Sequence, residues 1–407
     1  MPRQDVLSAA KSANKNEFYT QYSDIEREVN AYVEFNPDVF RGKTILLPCD
    51  DPEWSNFTKY FASNFERFGL KKLISTSYAK GWANCHQLSL FESSSDEYDP
   101  AKHQSKGKLF VLDRDSDGSG RIDQNDIEFS YMEGDGDFRS AEVTKLRDEA
   151  DFIITNPPFN TLFREFFSWV MNSGKKFLFI ASINSITYKE VFPYIQNNEV
   201  WLGTGMGRWI SGFIVPSDYE LYGTEAGLND KGQRIVATNN CLWFTNMDHG
   251  KRHERLSLMT MAQNLKFNKK LKKRFESDYG KPDYPLYDNY NAIEVPFTEC
   301  IPSDFDGVMG VPITFLDKYN PEQFEIIGFA GGWNGKSNLI TRKYPTKQIQ
   351  HDKNGKKQIV GKMNDGTPQI RISFQPTSST YYTIDDEFFY LRTYGRVLFR
   401  SKEVNAG

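Results

Sequence analysis

Asp151-Phe152-Ile153-Ile154-Thr155-Asn156-Pro157-Pro158-Phe159 is the stretch on which the reading of this chain turns. Residues 152–155 form an apolar, β-branched run too short for a helix, which reads as a buried strand. Two prolines follow and cannot continue a hydrogen-bonded ladder, so the chain leaves the sheet there. Asn156 and Phe159 are thereby set at the carboxyl edge of a sheet, where open α/β folds hold their ligands.

Working outward, further strands are expected at 44–47, 72–75, 176–181 and 236–244. Residues 108–112 read as a hairpin strand inside an insertion. Between them lie an amphipathic helix at 57–68, stopped by Gly69, and a largely apolar helix at 161–172, stopped by Gly174. This alternation predicts an α/β chain with a Rossmann-like, doubly wound, largely parallel sheet. After about residue 250 the pattern changes. Tyr, Pro and Asn crowd 284–291, the segments 331–338 and 351–365 are polar and loop-rich, and 391–400 alternates like a C-terminal strand. The expected organisation is a catalytic domain at 1–250, carrying an acidic insertion at about 92–130, and an α+β region at 251–407.

The chain has 407 residues, enough for two or three domains, and a net charge of −4, which excludes a global cationic surface for nucleic acid. Charge is segregated instead. Residues 92–155 hold 17 acids against 8 bases, whereas 251–274 hold nine bases against one acid. Cys49, Cys85, Cys241 and Cys300 are scattered, which argues against a disulfide framework or structural zinc. No secretory or membrane-spanning run is visible, and a cytoplasmic location is expected.

Chemistry narrows the function. The amino nitrogen of adenine is a poor nucleophile because its lone pair is delocalised into the ring. The side-chain carbonyl of Asn156 accepts one amino hydrogen and the backbone carbonyl of Pro157 the other, which frees the lone pair and stabilises the charge developing on nitrogen. Pro158 holds the turn. Phe159 is placed to stack on a base swung out of a duplex. The plain alternative is a strand ending in a Pro-Pro turn beside a core aromatic. The tetrapeptide resembles the signature of S-adenosylmethionine-dependent amino-methyltransferases, where Asn first and Phe fourth point to adenine N6.

The likeness becomes specific when Phe18-Tyr19-Thr20, Cys49-Asp50-Asp51-Pro52, Ser55-Asn56-Phe57, Gly134-Asp135-Gly136-Asp137-Phe138 and Asn156-Pro157-Pro158-Phe159 are taken in order. With Tyr287-Asp288-Asn289-Tyr290 and the run at 310–316, they resemble the EcoRI-type DNA adenine methyltransferase family. That resemblance implies cofactor segments first, catalytic tetrapeptide next and target recognition last. It assigns Asp50 and Asp51 to the first cofactor motif, Asp137 and Phe138 to the cofactor's adenine, and Tyr19 and Thr20 to its carboxylate. A helix N-terminus near Thr20 suits such an anion. Asn56 and Asn156 complete the implied cofactor set. Thr20 or Ser23 also fits a helix cap, as do Ser55 and Asn56 for the next helix. The second strand ends in Ser75-Thr76-Ser77-Tyr78 without an acid, so the residue for the cofactor ribose is unassigned.

Other features carry less. Asp113-Arg114-Asp115-Ser116-Asp117-Gly118 imitates a calcium loop, but framed from Asp113 its eighth residue is Gly120 and its twelfth Gln124, so no metal is expected. His249 and His253 are four apart in a basic setting and read as surface or phosphate-facing. Lys251, Arg252, Arg255, Lys269, Lys270, Lys272 and Lys273 are the candidate DNA-binding residues, with a solvated helix face as the plain alternative. Trp209, Tyr284, Tyr287, Tyr290 and Trp333 are candidates to stack on an opened base step.

The expected protein is therefore a sequence-specific DNA methyltransferase acting on N6 of a flipped-out adenine, a monomer working on double-stranded DNA away from membranes. A restriction-modification system is its expected setting, with a cognate restriction endonuclease acting separately. Methylation of rRNA adenine or protein glutamine, and a catalytically silent DNA-binding relic, are the alternatives.

Overall fold

Thr44–Leu47 (β1) and Phe152–Thr155 (β5) lie side by side at the middle of an eight-stranded sheet. The other strands are Lys72–Ser77 (β2), Lys108–Leu112 (β3), Glu128–Tyr131 (β4), Lys176–Ser182 (β6), Trp201–Met206 (β7) and Cys241–Thr245 (β8). Their order is β4-β3-β2-β1-β5-β6-β8-β7. β2, β1, β5 and β6 run parallel. β3 pairs antiparallel with β2, and β8 antiparallel with both β6 and β7. The computed structural model describes residues 19–50, 55–79, 99, 102, 105–157, 162–206, 210–215, 226–236, 240–376, 379–384 and 388–403.

The central strands are apolar throughout because both faces of the sheet are covered. Ile45 and Leu47 face one core with Phe57, Phe61, Phe152 and Ile154. Leu46 points the other way, to Ile74, Ala150 and Trp169. Helix Tyr22–Phe35 (α1) buries Ile25, Val29 and Tyr32 at helical spacing. Its N-cap is Gln21 and has no side-chain bond, so neither Thr20 nor Ser23 fills the expected capping role. Ser55 does cap the next helix. That helix breaks at Asn64 into Asn56–Ser63 (α2) and Phe65–Phe68 (α3), and Gly69 closes it in the left-handed region at φ 61°. Ala141–Glu149 (α4) and Phe163–Met171 (α5) follow, α5 burying Phe163, Phe166, Phe167 and Val170.

β3 pairs antiparallel with β4, as a hairpin strand should, and also joins the large sheet through β2. Two expectations are corrected here. Antiparallel strands flank the four parallel ones at both edges, so the sheet is mixed. The stretch expected as one strand at 236–244 is two. Arg234–Val236 belongs to a separate small sheet with Tyr19–Thr20, Phe213–Ile214 and Ala226–Leu228.

The chain divides into two compact units, 1–185 with 200–250, and 186–199 with 251–407. Residue 250 is thus one of three crossings. The second unit holds Phe192–Gln196 (α6), Met261–Phe267 (α7) and Lys269–Tyr279 (α8). Its first sheet is Ile293–Glu294 (β9), Met309–Pro312 (β10), Phe324–Ala330 (β11) and the last strand, Arg396–Ser401 (β17), in the order β9-β10-β17-β11. Its second consists of Gln348–His351 (β12), Lys357–Val360 (β13), Gln369–Ile372 (β14), Tyr381–Thr383 (β15) and Phe389–Arg392 (β16), in the order β13-β12-β15-β16-β14. The single strand expected at 391–400 is therefore split between the two sheets.

Candidate active site

Moving along the chain, β2 is laid on one side of β1 and β5 on the other, so strand order reverses between β1 and β5. In open α/β sheets such a reversal is where connections diverge and a crevice forms at the carboxyl ends of the strands. Cys49 and Asp50 follow β1, and Asn156 and Pro157 follow β5. Asp51, Pro158 and Phe159 lie outside the described residues.

Asp50 is buried, and its carboxylate joins the two loops. Oδ2 accepts from the Thr155 hydroxyl at 2.5 Å and Oδ1 from the Ser55 hydroxyl at 2.8 Å. The Asn156 N–H donates to the same carboxylate. Ser55 accepts in turn from the Phe57 N–H at 3.1 Å, capping α2. Burial pushes the Asp50 carboxyl up to about 7, against the pull of the Thr155, Ser55 and Asn156 donors. With these internal partners Asp50 ties the loop after β1 to the loop after β5. Burial, aided by the Asp50 charge, also raises the neighbouring Cys49 thiol far above its ordinary range, which removes it as a nucleophile.

Thr20 and Asn56 join the same cluster. Asn56 Nδ2 donates to the Thr20 carbonyl at 2.8 Å, anchoring the short strand before α1 to the start of α2. Tyr19 is half-buried beside it. The turn bearing Asp137 packs on the end of β2. Ala79 N–H donates to the Asp135 carbonyl at 2.8 Å, and a Cβ on Gly136 (φ +78°) would stand 2.1 Å from the Ser77 carbonyl. Asp137 itself is tied to Arg139, with Nη2 to Oδ2 at 2.6 Å. The Phe138 ring is buried against Phe166 and Trp169 at 5.4 and 5.7 Å.

Two hydroxyls bear on the implied S-adenosylmethionine. Thr20 Oγ1 and Ser77 Oγ are buried without a hydrogen-bond partner. Native interiors seldom leave such groups unsatisfied, so each is suited to a polar ligand atom. They lie on the strand entering α1 and at the end of β2, both beside the crevice, and the donor set fits the group. Ser77 was not singled out from sequence. Its signal was a serine where an acid was sought.

The basic run is only partly available. Lys251 pairs with Asp317 at 2.7 Å, Arg252 is buried against Asn198, and Arg255 pairs with Glu403. Lys269, Lys270, Lys272 and Lys273 are exposed on α8, where Lys272 reaches Glu276 at 4.0 Å. His249 is buried with Nε2 3.0 Å from the Leu202 carbonyl, which corrects the surface reading. Tyr284, Tyr287 and Tyr290 are also buried, each hydroxyl bonded internally, and cannot stack on a base. Trp209 lies outside the described residues; Trp333 is exposed, with Nε1 donating to the Thr187 carbonyl at 2.5 Å.

The acidic loop is framed two residues later than the sequence reading placed it. Ligand atoms of Asp115, Asp117 and Asp126 lie within 4.8 Å of one another. Counted from Asp115, Gly120 (φ +81°) is sixth, Ile122 eighth and Asp126 twelfth. The carboxylates accept from the loop's own amides, Gly118 and Gly120 N–H to Asp115 and Ser116 N–H to Asp126, each at 2.7 Å. Among the described residues no helix is long and apolar enough to cross a membrane.

Comparison with known proteins identifies the relatives of this chain. A family model described as adenine-specific methyltransferase EcoRI matches residues 6–375. The chain is 46% identical over 340 residues to the type II methyltransferase M.EcoRI of Escherichia coli, covering 84% of this chain and 94% of the relative. It is 32% identical over 323 residues to M.MgeORF184P of Mycoplasma genitalium, covering 79% and 85%. Against M.MpnI of Mycoplasma pneumoniae it is 31% identical over 323 residues, covering 79% and 84%. No solved structure matches.

Proposed function

The chain belongs to the adenine-specific methyltransferase EcoRI family, and from that premise we propose how its residues divide the work of methylating DNA. The enzyme is a site-specific DNA methyltransferase for adenine, with S-adenosylmethionine as methyl donor. When bound, that cofactor supplies an electrophilic methyl group on a sulfonium.

Asn156 and Pro157 are the catalytic acceptors. Their carbonyl oxygens take the two amino hydrogens of the target adenine, turn its nitrogen lone pair toward the methyl donor and stabilise the positive charge formed there. Pro158 fixes the turn and Phe159 stacks on the extruded base. Tyr19, Thr20, Asn56 and Ser77 hold the cofactor, and Asp51 and Asp137 contribute to its binding. Asp50 is a positioning residue that locks the Asn156 loop to the β1 loop. The large sheet, with its order reversal and covered faces, supports a Rossmann-like, doubly wound catalytic unit. The unit containing 251–407 is the target-recognition region, and Lys269, Lys270, Lys272 and Lys273 contribute phosphate contacts. The protein acts as a monomer in a restriction-modification system, with a cognate endonuclease working separately.

The observation that carries this reading is Asn156-Pro157 at the carboxyl end of β5, hydrogen-bonded through Asp50 to the end of β1. Asn156→Ala should lower turnover on duplex DNA by roughly 10²–10³-fold, as for loss of a transition-state hydrogen-bonding partner. The dissociation constants for DNA and cofactor should change only a few-fold. Equal losses in turnover and DNA affinity would remove Asn156 from the chemistry.

A further inference from the structure

DNA is a polyanion, and a chain with net charge −4 must meet it through local positive surface. The basic run at 251–274 spends much of its charge on internal partners: Lys251 on Asp317, Arg255 on Glu403, Lys272 on Glu276 and Arg274 on Asp278. A second basic segment does not. Between residues 347 and 362 there are five lysines, Lys347, Lys353, Lys356, Lys357 and Lys362, and one acid, Asp352. All five lysines are exposed, and none forms an ion pair with a described residue. Asp352 is committed to the turn, its Oδ1 accepting from the Asn354 and Lys356 N–H groups at 2.8 Å.

These lysines decorate a β-hairpin. β12 and β13 pair antiparallel with Ile349 opposite Ile359 and Gln350 opposite Gln358, closed by a turn with Gly355 at φ +82°. β13 is the edge strand of its sheet. One face is anchored, with Val360 packed beside Tyr344, Met363 and Tyr390. The other presents Ile349 and Ile359, 42% and 72% exposed, as a directly opposed pair. Lysines alone would be explained as guards against edge-to-edge aggregation. An exposed isoleucine pair works against that purpose, since it makes the edge stickier. Apolar side chains ringed by unpaired cations suit a groove whose walls are phosphate and whose floor carries methyl groups. A major groove also admits a two-stranded ribbon.

We propose that the β12–β13 hairpin is a DNA-contacting ribbon, its lysines on the phosphates and Ile349 and Ile359 against base edges in the major groove. This rests on the reading of duplex DNA as substrate. The test uses the full chain and a fluorescein-labelled duplex of arbitrary sequence. Replacing all five lysines by glutamine should reduce the slope of log affinity against log salt by about 3 to 4.5. Affinity near 0.1 M salt should fall on the order of 1,000-fold or more. Cofactor binding, followed by calorimetry, should be unchanged, which shows that the variant is folded. Ile349→Ser with Ile359→Ser should leave the salt slope alone and lower kcat/KM on plasmid DNA about tenfold. Wild-type slope and affinity in the lysine variant would overturn the proposal and leave the hairpin as a surface for solvent or a protein partner. If the unaltered enzyme transferred no methyl to DNA, the functional reading itself would fail, a separate result.

Discussion

At the scale of single residues, Asp50 makes a pH prediction with a definite sign. Its folded pKa of about 7 lies above its ordinary 3.8, so the folded state binds the proton more tightly. The stability it contributes is complete below about pH 3.8 and is lost as pH rises through about 7. Cys49, the adjacent thiol, stays neutral across this interval, and Asp137 is the other carboxylate nearby. Asp50→Asn removes the titration. The variant's unfolding temperature, measured against wild type, should improve steadily between about pH 4 and about pH 8. Parallel curves would mean that Asp50 does not titrate there. Gly136 is constrained by both its φ of +78° and the Ser77 carbonyl. Gly136→Ala should cost about 1–3 kcal/mol by urea denaturation and weaken cofactor binding by calorimetry. A variant as stable as wild type would show that the turn can shift freely.

Among the elements, the start of α2 carries two duties through one hydroxyl. Ser55→Ala removes a cap from Phe57 and a donor from Asp50, and should cost about 1–2 kcal/mol in denaturant unfolding, with Ser55→Thr restoring most of it. A loss below about 0.5 kcal/mol would assign the capping elsewhere. The strands at 44–47, 152–155 and 176–182 were legible because an uninterrupted apolar run leaves few other options. The split at Asn64 was not, because both pieces share one apolar stripe. Long-range pairing was equally hidden. Nothing near Lys251 announces Asp317, and nothing near Asp50 announces Thr155. Residues 351–365, which include β13 and the hairpin turn, read as polar loop, although Asn354-Gly355 between two short β-prone runs is a recognisable turn signal. Asn156-Pro157-Pro158-Phe159 stands out because the chemistry read from it is local, while the strand before it is tied through Thr155 to a residue 105 positions away.

Across the whole molecule, each unit keeps its own buried polar tie. In the first, Glu28 on α1 accepts from the Thr204 and Gly205 N–H groups at 2.8 and 3.0 Å. In the second, Arg396 forks onto Glu294, with Nη2 to Oε1 at 2.7 Å and Nε to Oε2 at 3.0 Å, and both side chains are buried. Glu294→Ala strands a buried guanidinium and should cost about 3–5 kcal/mol. By scanning calorimetry, the loss should fall on the unit holding 251–407, while the stabilisation conferred by cofactor survives. Disappearance of that cofactor response would show that the units do not unfold separately. The second unit also borrows 186–199 from between β6 and β7. There Phe192 packs on Phe329 at 5.1 Å, and Gln196 Nε2 donates to the Ile327 carbonyl at 2.9 Å. A chimaera made by exchanging everything after residue 250 between two relatives would therefore inherit a mismatched α6. If the unit holding 251–407 reads the target as proposed, transplanting specificity calls for two grafts, one of them only fourteen residues long.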